Sequence, residues 1–311
     1  MRVSRVGFAV LVCAIAVLIA AGPGRCAEVV VSPVERLMNM ENLLFGSAQE
    51  GSIVGRLEAI ERLVFGELSA GTLPDRLNQC WNFIQGDRAG GMNIKFKLRA
   101  IQWTMFGAIS DGPIVPCLAD LETRLLGQQA PGSVGSRLDA LMGLTMAGGK
   151  PEVGYALLPK GILVKVKLTT GVSSVKSRPG DVIGFEVVQD AICEGKLVIA
   201  AGAGVPAKIV ETVRPTKTGV RARVDFEIGP VEGMDSAAVN LGVDQAAMAA
   251  NSSVPMTIGD APRKFGIMGK EGALGGVFTP NEELELAAGA VFFLSVMQTS
   301  KILGLVVPAS K

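Results

Sequence analysis

The chain has 311 residues, with 30 Lys and Arg against 29 Asp and Glu, and it contains no His. The lack of His excludes Ser-His-Asp and Cys-His nucleophiles, as well as zinc sites built with imidazole. A net charge of +1 gives no broad electrostatic attraction to nucleic acid. A charged fraction of 19% together with 39 Gly predicts an apolar chain with many tight turns.

The first 27 residues have the pattern of a secretory signal. Arg2 and Arg5 precede an uncharged run over residues 6–21, and Gly22-Pro23-Gly24 follows it. The run is shorter than the roughly 20 residues that cross a bilayer, so cleavage is expected rather than anchoring. Arg25 stands where a small residue precedes a lipidated Cys, so no lipid anchor is expected at Cys26. We therefore predict export to the periplasm, the cell envelope or the outside of the cell.

Residues 28–148 carry an internal repeat of about 20 residues. One register consists of glycines that follow an apolar residue: Gly46, Gly66, Gly107 and Gly127, with Gln85-Gly86 in the missing place. A second register places Leu after a mostly basic residue: Arg36-Leu37, Arg56-Leu57, Arg76-Leu77, Lys97-Leu98, Cys117-Leu118 and Arg137-Leu138. Because both sets of positions recur with the same spacing, the sequence predicts a repeated structural unit.

Each unit is predicted to be one helix of about 12 to 14 residues followed by a turn. Ser52, Thr72 and Ser133 are placed to cap helix N-termini, and the register glycines supply the left-handed residue that ends a helix. Helices of this length are unstable alone in water. The units should therefore pack side by side, as a bundle or a short solenoid.

The repeated arginines have two interpretations. They could form an interaction row on the surface, made of Arg36, Arg56, Arg76 and Arg137. They could instead be structural and pair with a neighbouring unit or with the acidic residue five places after the matching position, which is Glu41, Glu61 or Glu122. The structural interpretation is favoured, because regularly repeated charges usually stabilise a repeat.

A linker is predicted at residues 149–157, and a β-rich domain at residues 158–311. In this domain apolar residues recur at every second position, which is typical of strands. The pattern predicts strands at 161–169, 182–188, 196–200, 205–211, 221–228 and 290–297. Residues 237–250 are predicted as a short helix or loop. Gly161, Gly202 and Gly289 each form a tight turn before an apolar strand. The fold class is therefore α+β in two modules, the second an antiparallel barrel or sandwich.

A local pattern in this region is similar to a known module. It consists of Gly161-Ile-Leu-Val, Ser173-Ser174, Pro179-Gly180-Asp181, Asp190, Gly195-Lys-Leu-Val-Ile199 and Ala201-Gly202. Over about residues 158–211 it resembles the β-barrel module of bacterial conjugation and type IV secretion envelope proteins. The usual Pro before the last Gly is Ala201 here, and the proline-rich linker and membrane-spanning insertion of that family are absent. The resemblance implies an envelope β-domain rather than a channel subunit.

Two enzyme-like motifs occur in unsuitable contexts. Ser173 and Lys176 match an SxxK motif and Lys217-Thr-Gly219 a KTG motif, but a turn is predicted where SxxK requires a buried helix. Residues 202–207 match GxGxxA, but the following residues are β-rich, whereas a dinucleotide site needs a helix there. Both segments are predicted as turns, and no nucleotide is expected.

Acidic pairs could still act on a sugar. The available clusters are Asp225 with Glu227, and Glu282, Glu283 and Glu285, but charges that alternate on a strand usually form a solvated face. Trp81, Trp103 and Tyr155 offer few aromatic platforms for a glycan, and the two Trp lie in the repeats.

Cys80 and Cys117 could form a disulfide, or they could be buried free thiols. The buried free thiols are favoured.

These features predict a secreted, non-catalytic envelope protein without cofactors or metals. The helical repeats would be a scaffold for protein interaction or self-association, and the β-domain would be a docking module. The alternative is that the β-domain binds cell-wall glycan or another small ligand. A carboxylate-based hydrolase is the least favoured hypothesis.

Overall fold

The computed structural model describes residues 32–86, 92–216, 220–261, 263–269, 273–274, 277–278 and 283–307. The predicted signal segment lies outside these residues. Within them, no helix is long and apolar enough to cross a membrane. The described residues from Pro33 onward belong to one compact unit, so the helices and the sheets are considered together.

The repeats are helical at the predicted period. The helices are α1 Pro33–Phe45, α2 Ile53–Val64, α3 Leu73–Gln85, α4 Ile94–Phe106, α5 Ile114–Leu126 and α6 Val134–Thr145. The hydroxyls of Ser52 and Ser133 accept hydrogen bonds from the amides of Gly55 and Ser136, which satisfies donors of a first helical turn. At the other end, Gly107 is left-handed and its amide donates to the Trp103 carbonyl.

The helices pack as a bundle around a core that the repeat itself specifies. The Leu of the second register is buried in all six helices: Leu37, Leu57, Leu77, Leu98, Leu118 and Leu138. The residue three places later is buried as well: Met40, Ile60, Cys80, Ile101, Leu121 and Leu141. Since α1 contacts α3 and α5 as well as α2, the arrangement is a bundle and not a solenoid of nearest neighbours.

A short 3-10 turn at Ala147–Gly149 leads into the β-region. The strands of the described residues are β1 Val153–Leu158, β2 Leu163–Leu168, β3 Val172–Ser173, β4 Val182–Val187, β5 Ala191–Cys193, β6 Lys196–Ile199, β7 Gly204–Val213, β8 Arg223–Ile228, β9 Val231–Glu232, β10 Ala238–Val239, β11 Leu241–Gly242, β12 Met256–Ile258, β13 Lys264–Met268, β14 Ala273–Leu274, β15 Val277–Phe278, β16 Glu285–Leu286, β17 Val291–Val296 and β18 Ser300–Val306. One further short helix, α7, spans Gln245–Ala250.

The strands form curled antiparallel sheets. The largest has the order β11-β17-β2-β4-β7-β8-β13-β12, and a second has the order β1-β18-β6-β5. Alternate residues of β8 are buried, which directs Val224, Phe226 and Ile228 inward. The Phe226 ring packs against those of Phe185 and Phe265, at centroid distances of 5.9 and 5.3 Å, in the middle of this core. The α+β architecture in two modules is thus confirmed.

The six predicted strands are present with ends that differ by at most two residues. The linker prediction at 149–157 was wrong from residue 153 onward, because β1 pairs along its whole length with β18. Its outward residues Val153, Tyr155 and Leu157 are apolar or aromatic, so the strand shows no alternation in the sequence. Residues 237–250 contain β10 and β11 before α7, rather than a helix or loop alone.

Candidate functional site

The repeated arginines bind buried glutamates of the preceding repeat. In each pair Nε donates to Oε1 at 2.8 or 2.9 Å and Nη2 donates to Oε2 at 2.5 Å. The pairs are Arg56–Glu41, Arg76–Glu61 and Arg137–Glu122. The carboxylates are fully buried, and 9 to 15% of each arginine side chain is exposed. These guanidinium groups are therefore engaged inside the bundle and are not free to bind a partner.

A simple rule in the sequence accompanies this pairing. A repeat that carries the buried Glu is followed by a repeat that carries Arg, fifteen residues later. Where Trp81 or Gln102 replaces the Glu, the next repeat carries Lys97 or Cys117 in place of Arg. The last repeat has Met142 at this position, and no further repeat follows it. The Glu and the Arg of the following repeat are thus replaced together. This correlation, which is visible in the sequence alone, identifies the two residues as partners.

Arg36 differs, because it lies in the first repeat of the described residues. Its guanidinium donates to the Asn78 amide oxygen and lies 5.6 Å from the centroid of the Trp81 ring. Both partners are on α3. The four arginines predicted as an interaction row are therefore not one exposed surface.

The predicted turn glycines have positive φ angles, from 68 to 89°. They are Gly46, Gly66, Gly107, Gly127, Gly161, Gly202 and Gly289. Gly202 has a second constraint, because a Cβ at this position would lie 1.9 Å from the Ile109 carbonyl oxygen. At Gly161, with the same φ of 89°, nothing lies within 4 Å. The loop between α4 and α5 thus touches the turn before β7.

Helix α4 joins the bundle to the sheets. Its residues Leu98 and Ile101 belong to the bundle core, whereas Phe96 and Ala100 belong to the β-region core. Between these apolar faces lies Arg99, which is 1% exposed. A buried cation of this kind requires several partners to offset its loss of hydration.

Arg99 has those partners in the α4–α5 loop and at the end of β9. Its Nη1 donates to the Gly233 carbonyl, and its Nη2 donates to Asp111 and Glu232, each at 2.7 Å. Glu232 also accepts from Lys95 Nζ at 2.6 Å. This network holds the strand β9 against α4 with four charged side chains.

A second anchor lies one turn further along α4. The Trp103 indole N–H donates to Asp190 Oδ2 at 2.8 Å, and Asp190 Oδ1 accepts from the Ala201 amide at 2.7 Å. The Ala201 carbonyl then accepts from the Ile109 amide at 2.8 Å. The loop, the helix and the β6–β7 turn are therefore fixed relative to one another.

An open cleft of about 690 Å³ runs along this junction, and we call it the junction groove. Apolar residues from α1, the α4–α5 loop, β4 and β7 line it: Leu43, Pro113, Phe185, Val205 and Pro206. Lys95, Asp111 and Glu232, from the Arg99 network, line its polar end. A concave apolar surface beside a few fixed polar groups is the usual form of a binding site. Sequence reasoning did not identify it, because its residues come from distant segments.

The carboxylates considered for sugar chemistry take part in ion pairs on the outer face of the sheet. Asp225 contacts Arg223 at 3.0 Å, and Glu227 contacts Lys208 at 3.1 Å. Burial raises the pKa of Asp225, and the hydrogen bond from Lys208 lowers the pKa of Glu227. Glu285 pairs with Lys176 at 2.9 Å, whereas Glu282 lies outside the described residues.

The enzyme-like motifs lie in strands and the turns next to them where the structure describes them, and not at the start of a helix. Ser173 Oγ accepts from the amides of Val175 and Lys176, while the Lys176 ammonium is directed to Glu285. Residues 202–207 lead into β7 and not into a helix. Residues 217–219 lie outside the described part of the chain.

Cys80, Cys117 and Cys193 are free thiols. Cys80 occupies a core position of its repeat that other repeats fill with Ile, Leu or Met, which explains its burial. Burial raises the pKa of Cys80 to about 12.

In the described part of the chain, no three acidic or Cys side chains are grouped so that they could hold a metal ion.

Comparison of the sequence with protein-family models and with curated proteins finds no significant match. The functional argument therefore depends on the geometry of this chain.

Proposed function

We propose that this protein is an exported, non-catalytic component of the cell envelope that acts as a docking scaffold. The helical bundle would provide the partner-binding surface, and the β-region would hold it in a fixed orientation. The observation that supports this most strongly is the construction of the junction groove. Its walls belong to the bundle and to the sheet, and Arg99 and Trp103 fix them together.

Rigid walls favour binding, because a preformed surface loses little conformational entropy when a partner docks. The accessible part of the apolar wall is formed by Leu43, Pro113 and Pro206, because Phe185 and Val205 are only 1% exposed. Lys95 and Glu232 at the polar end can orient a partner. The charged side chains there are engaged with each other, which suits recognition better than proton transfer. The signal-like first segment and the resemblance to envelope β-modules support the proposed location.

Site-specific photo-crosslinking in cells tests this proposal. A photoreactive residue at Asn42, in the groove, should give a discrete adduct with an envelope protein or with a second copy of the chain. The same residue at the exposed Leu157, outside the groove, is the matched control. Adducts at both positions alike, or at neither, would contradict the proposal. Protection of the protein from protease added outside intact spheroplasts would contradict the location.

A further inference from the structure

A second cavity lies beside strands β8 and β13, and none of its lining residues belongs to the junction groove. Its volume is about 580 Å³. Side chains from five separate segments line it, and we call it the rim pocket: Lys160, Glu227, Asn240, Arg263, Lys264 and Gln298. Cavities of roughly 300–1,000 Å³ hold small ligands.

The rim pocket has an excess of positive charge. Glu227 is bound by Lys208 at 3.1 Å, and Asp260 lies 3.3 Å from Lys264. These contacts match the two acidic groups with two cations. Lys160 and Arg263 remain, and within the described residues neither forms an ion pair. The Arg263 charge acts on Glu227 without a salt bridge, so the pocket lining still carries more cations than carboxylates, and this excess favours an anionic ligand.

Backbone hydrogen bonds fix the segments that carry these groups. The Lys160 amide donates to Thr299 Oγ1 at 3.2 Å, and the Met297 amide donates to the Asn240 carbonyl at 2.9 Å. On the opposite side, the Ile228 amide donates to the Arg263 carbonyl at 3.0 Å. The backbone positions are therefore set before a ligand arrives, although the long basic side chains can still adjust.

We propose that the rim pocket binds an oxyanion carried on a sugar, either a phosphate ester or a uronic acid. The Arg263 guanidinium presents the paired donors that match such an oxyanion, and the Lys160 ammonium adds a point charge. The side-chain amides of Asn240 and Gln298 can donate to and accept from sugar hydroxyls. This inference is independent of the docking role of the bundle, since it uses neither the groove nor a protein partner.

Isothermal titration of the purified full chain at low salt tests the proposal. The probes are inorganic phosphate, glucose 1-phosphate, glucuronate and uncharged glucose. We expect saturable binding of at least one charged sugar, weakened about tenfold by Lys160→Gln or Arg263→Gln. Phosphate-specific or carboxylate-specific binding would identify the source of the oxyanion, and either result supports the proposal.

Lys301→Gln is the matched control, because Lys301 lies over the Tyr155 ring outside the pocket. The Lys301→Gln variant should bind the charged probes with the same affinity as the wild type. The proposal is overturned if no charged probe binds, if glucose binds as tightly, or if Lys301→Gln weakens binding as much as the pocket variants. Circular dichroism of each variant verifies that these surface substitutions leave the fold intact.

Discussion

Arg137 of α6 and Glu122 of α5 share two parallel hydrogen bonds in a nearly dry environment. The distances are 2.8 Å from Nε and 2.5 Å from Nη2, and the Glu122 carboxylate is fully buried. Desolvation offsets much of the attraction in a buried pair of this kind, so its net contribution to stability is small. Removal of one partner is costly, however, because it leaves a buried charge without compensation.

Arg137→Met should therefore destabilise the protein by about 3 kcal/mol. The double variant Glu122→Leu/Arg137→Met should recover most of that loss, because no buried charge remains. Urea unfolding measures the free energy. The control Arg62→Met breaks an exposed pair with Glu58 at 3.6 Å and should cost less than about 0.5 kcal/mol. Equal losses for Arg137→Met and Arg62→Met would contradict the structural role of the repeat pairs.

The Glu61–Arg76 pair predicts a dependence of stability on pH. The hydrogen bonds from Arg76 lower the pKa of Glu61 in the folded state. Its unfolded pKa is about 4.3. The stability from this group is therefore complete above the unfolded value and is lost as the pH falls through the folded value.

Unfolding free energies at about pH 7 and about pH 3 should consequently differ less in Glu61→Leu/Arg76→Met than in the wild type. Glu58→Gln, on the exposed side of the same helix, is the control and should leave the difference unchanged. An unchanged pH dependence in the double variant would show that Glu61 does not contribute to acid sensitivity.

Gly202→Ala should destabilise the protein more than Gly161→Ala. Both glycines have a φ of 89°, which costs an L-residue about 1–2 kcal/mol. At Gly202 the added Cβ must also displace the Ile109 carbonyl, so the total should reach about 3 kcal/mol or more. Thermal unfolding compares the variants. Similar midpoints for both would mean that the α4–α5 loop does not press against this turn.

Arg99→Met should loosen the junction between the bundle and the sheets. Asp111 and Glu232 would lose their shared donor, but both carboxylates are partly exposed and can be hydrated, so the cost should be about 2 kcal/mol. Hydrogen exchange measured by mass spectrometry should become faster in α4 and in residues 231–239. Lys97→Met, which breaks a more exposed pair with Asp139, should not change the exchange of those segments.

Cys80 should resist alkylation in the folded protein. Burial raises its pKa to about 12, so at about pH 8 almost no reactive thiolate is present. Peptide mass spectrometry after brief iodoacetamide treatment should find Cys80 unmodified, and half-buried Cys193 should react faster. In urea both should react. Rapid native labelling of Cys80 would contradict its place in the bundle core.

The helices could be predicted from the sequence because each repeat carries its own start, core position and end. The strands that escaped prediction lack such signals. In β18, Ile302, Leu303 and Leu305 are all buried, so no alternation appears. In β13, Gly266 interrupts the pattern, and a Cβ there would lie 2.3 Å from Asp225 Oδ1.

The junction groove could not be derived from local patterns. Arg99 meets Glu232, and the two are separated by 133 residues, so no periodicity connects them. A signal was nevertheless available in the fourth repeat. There Lys97 and Gln102 replace both the Arg and the Glu, whereas the third, fifth and sixth repeats each keep one of the two, which marks this helix as one with a different neighbour.

The glutamate-to-arginine rule also limits how the gene for such an array can change length. Copying the unit that carries Arg56 and Glu61 would give each new carboxylate an arginine in the unit after it. Deleting the unit that carries Arg76 would leave Glu61 facing Lys97, whose ammonium cannot form the two parallel bonds. The charge pairing alone would therefore tolerate a duplicated unit there, whereas loss of the unit that carries Arg76 would leave a buried carboxylate without its matched donor.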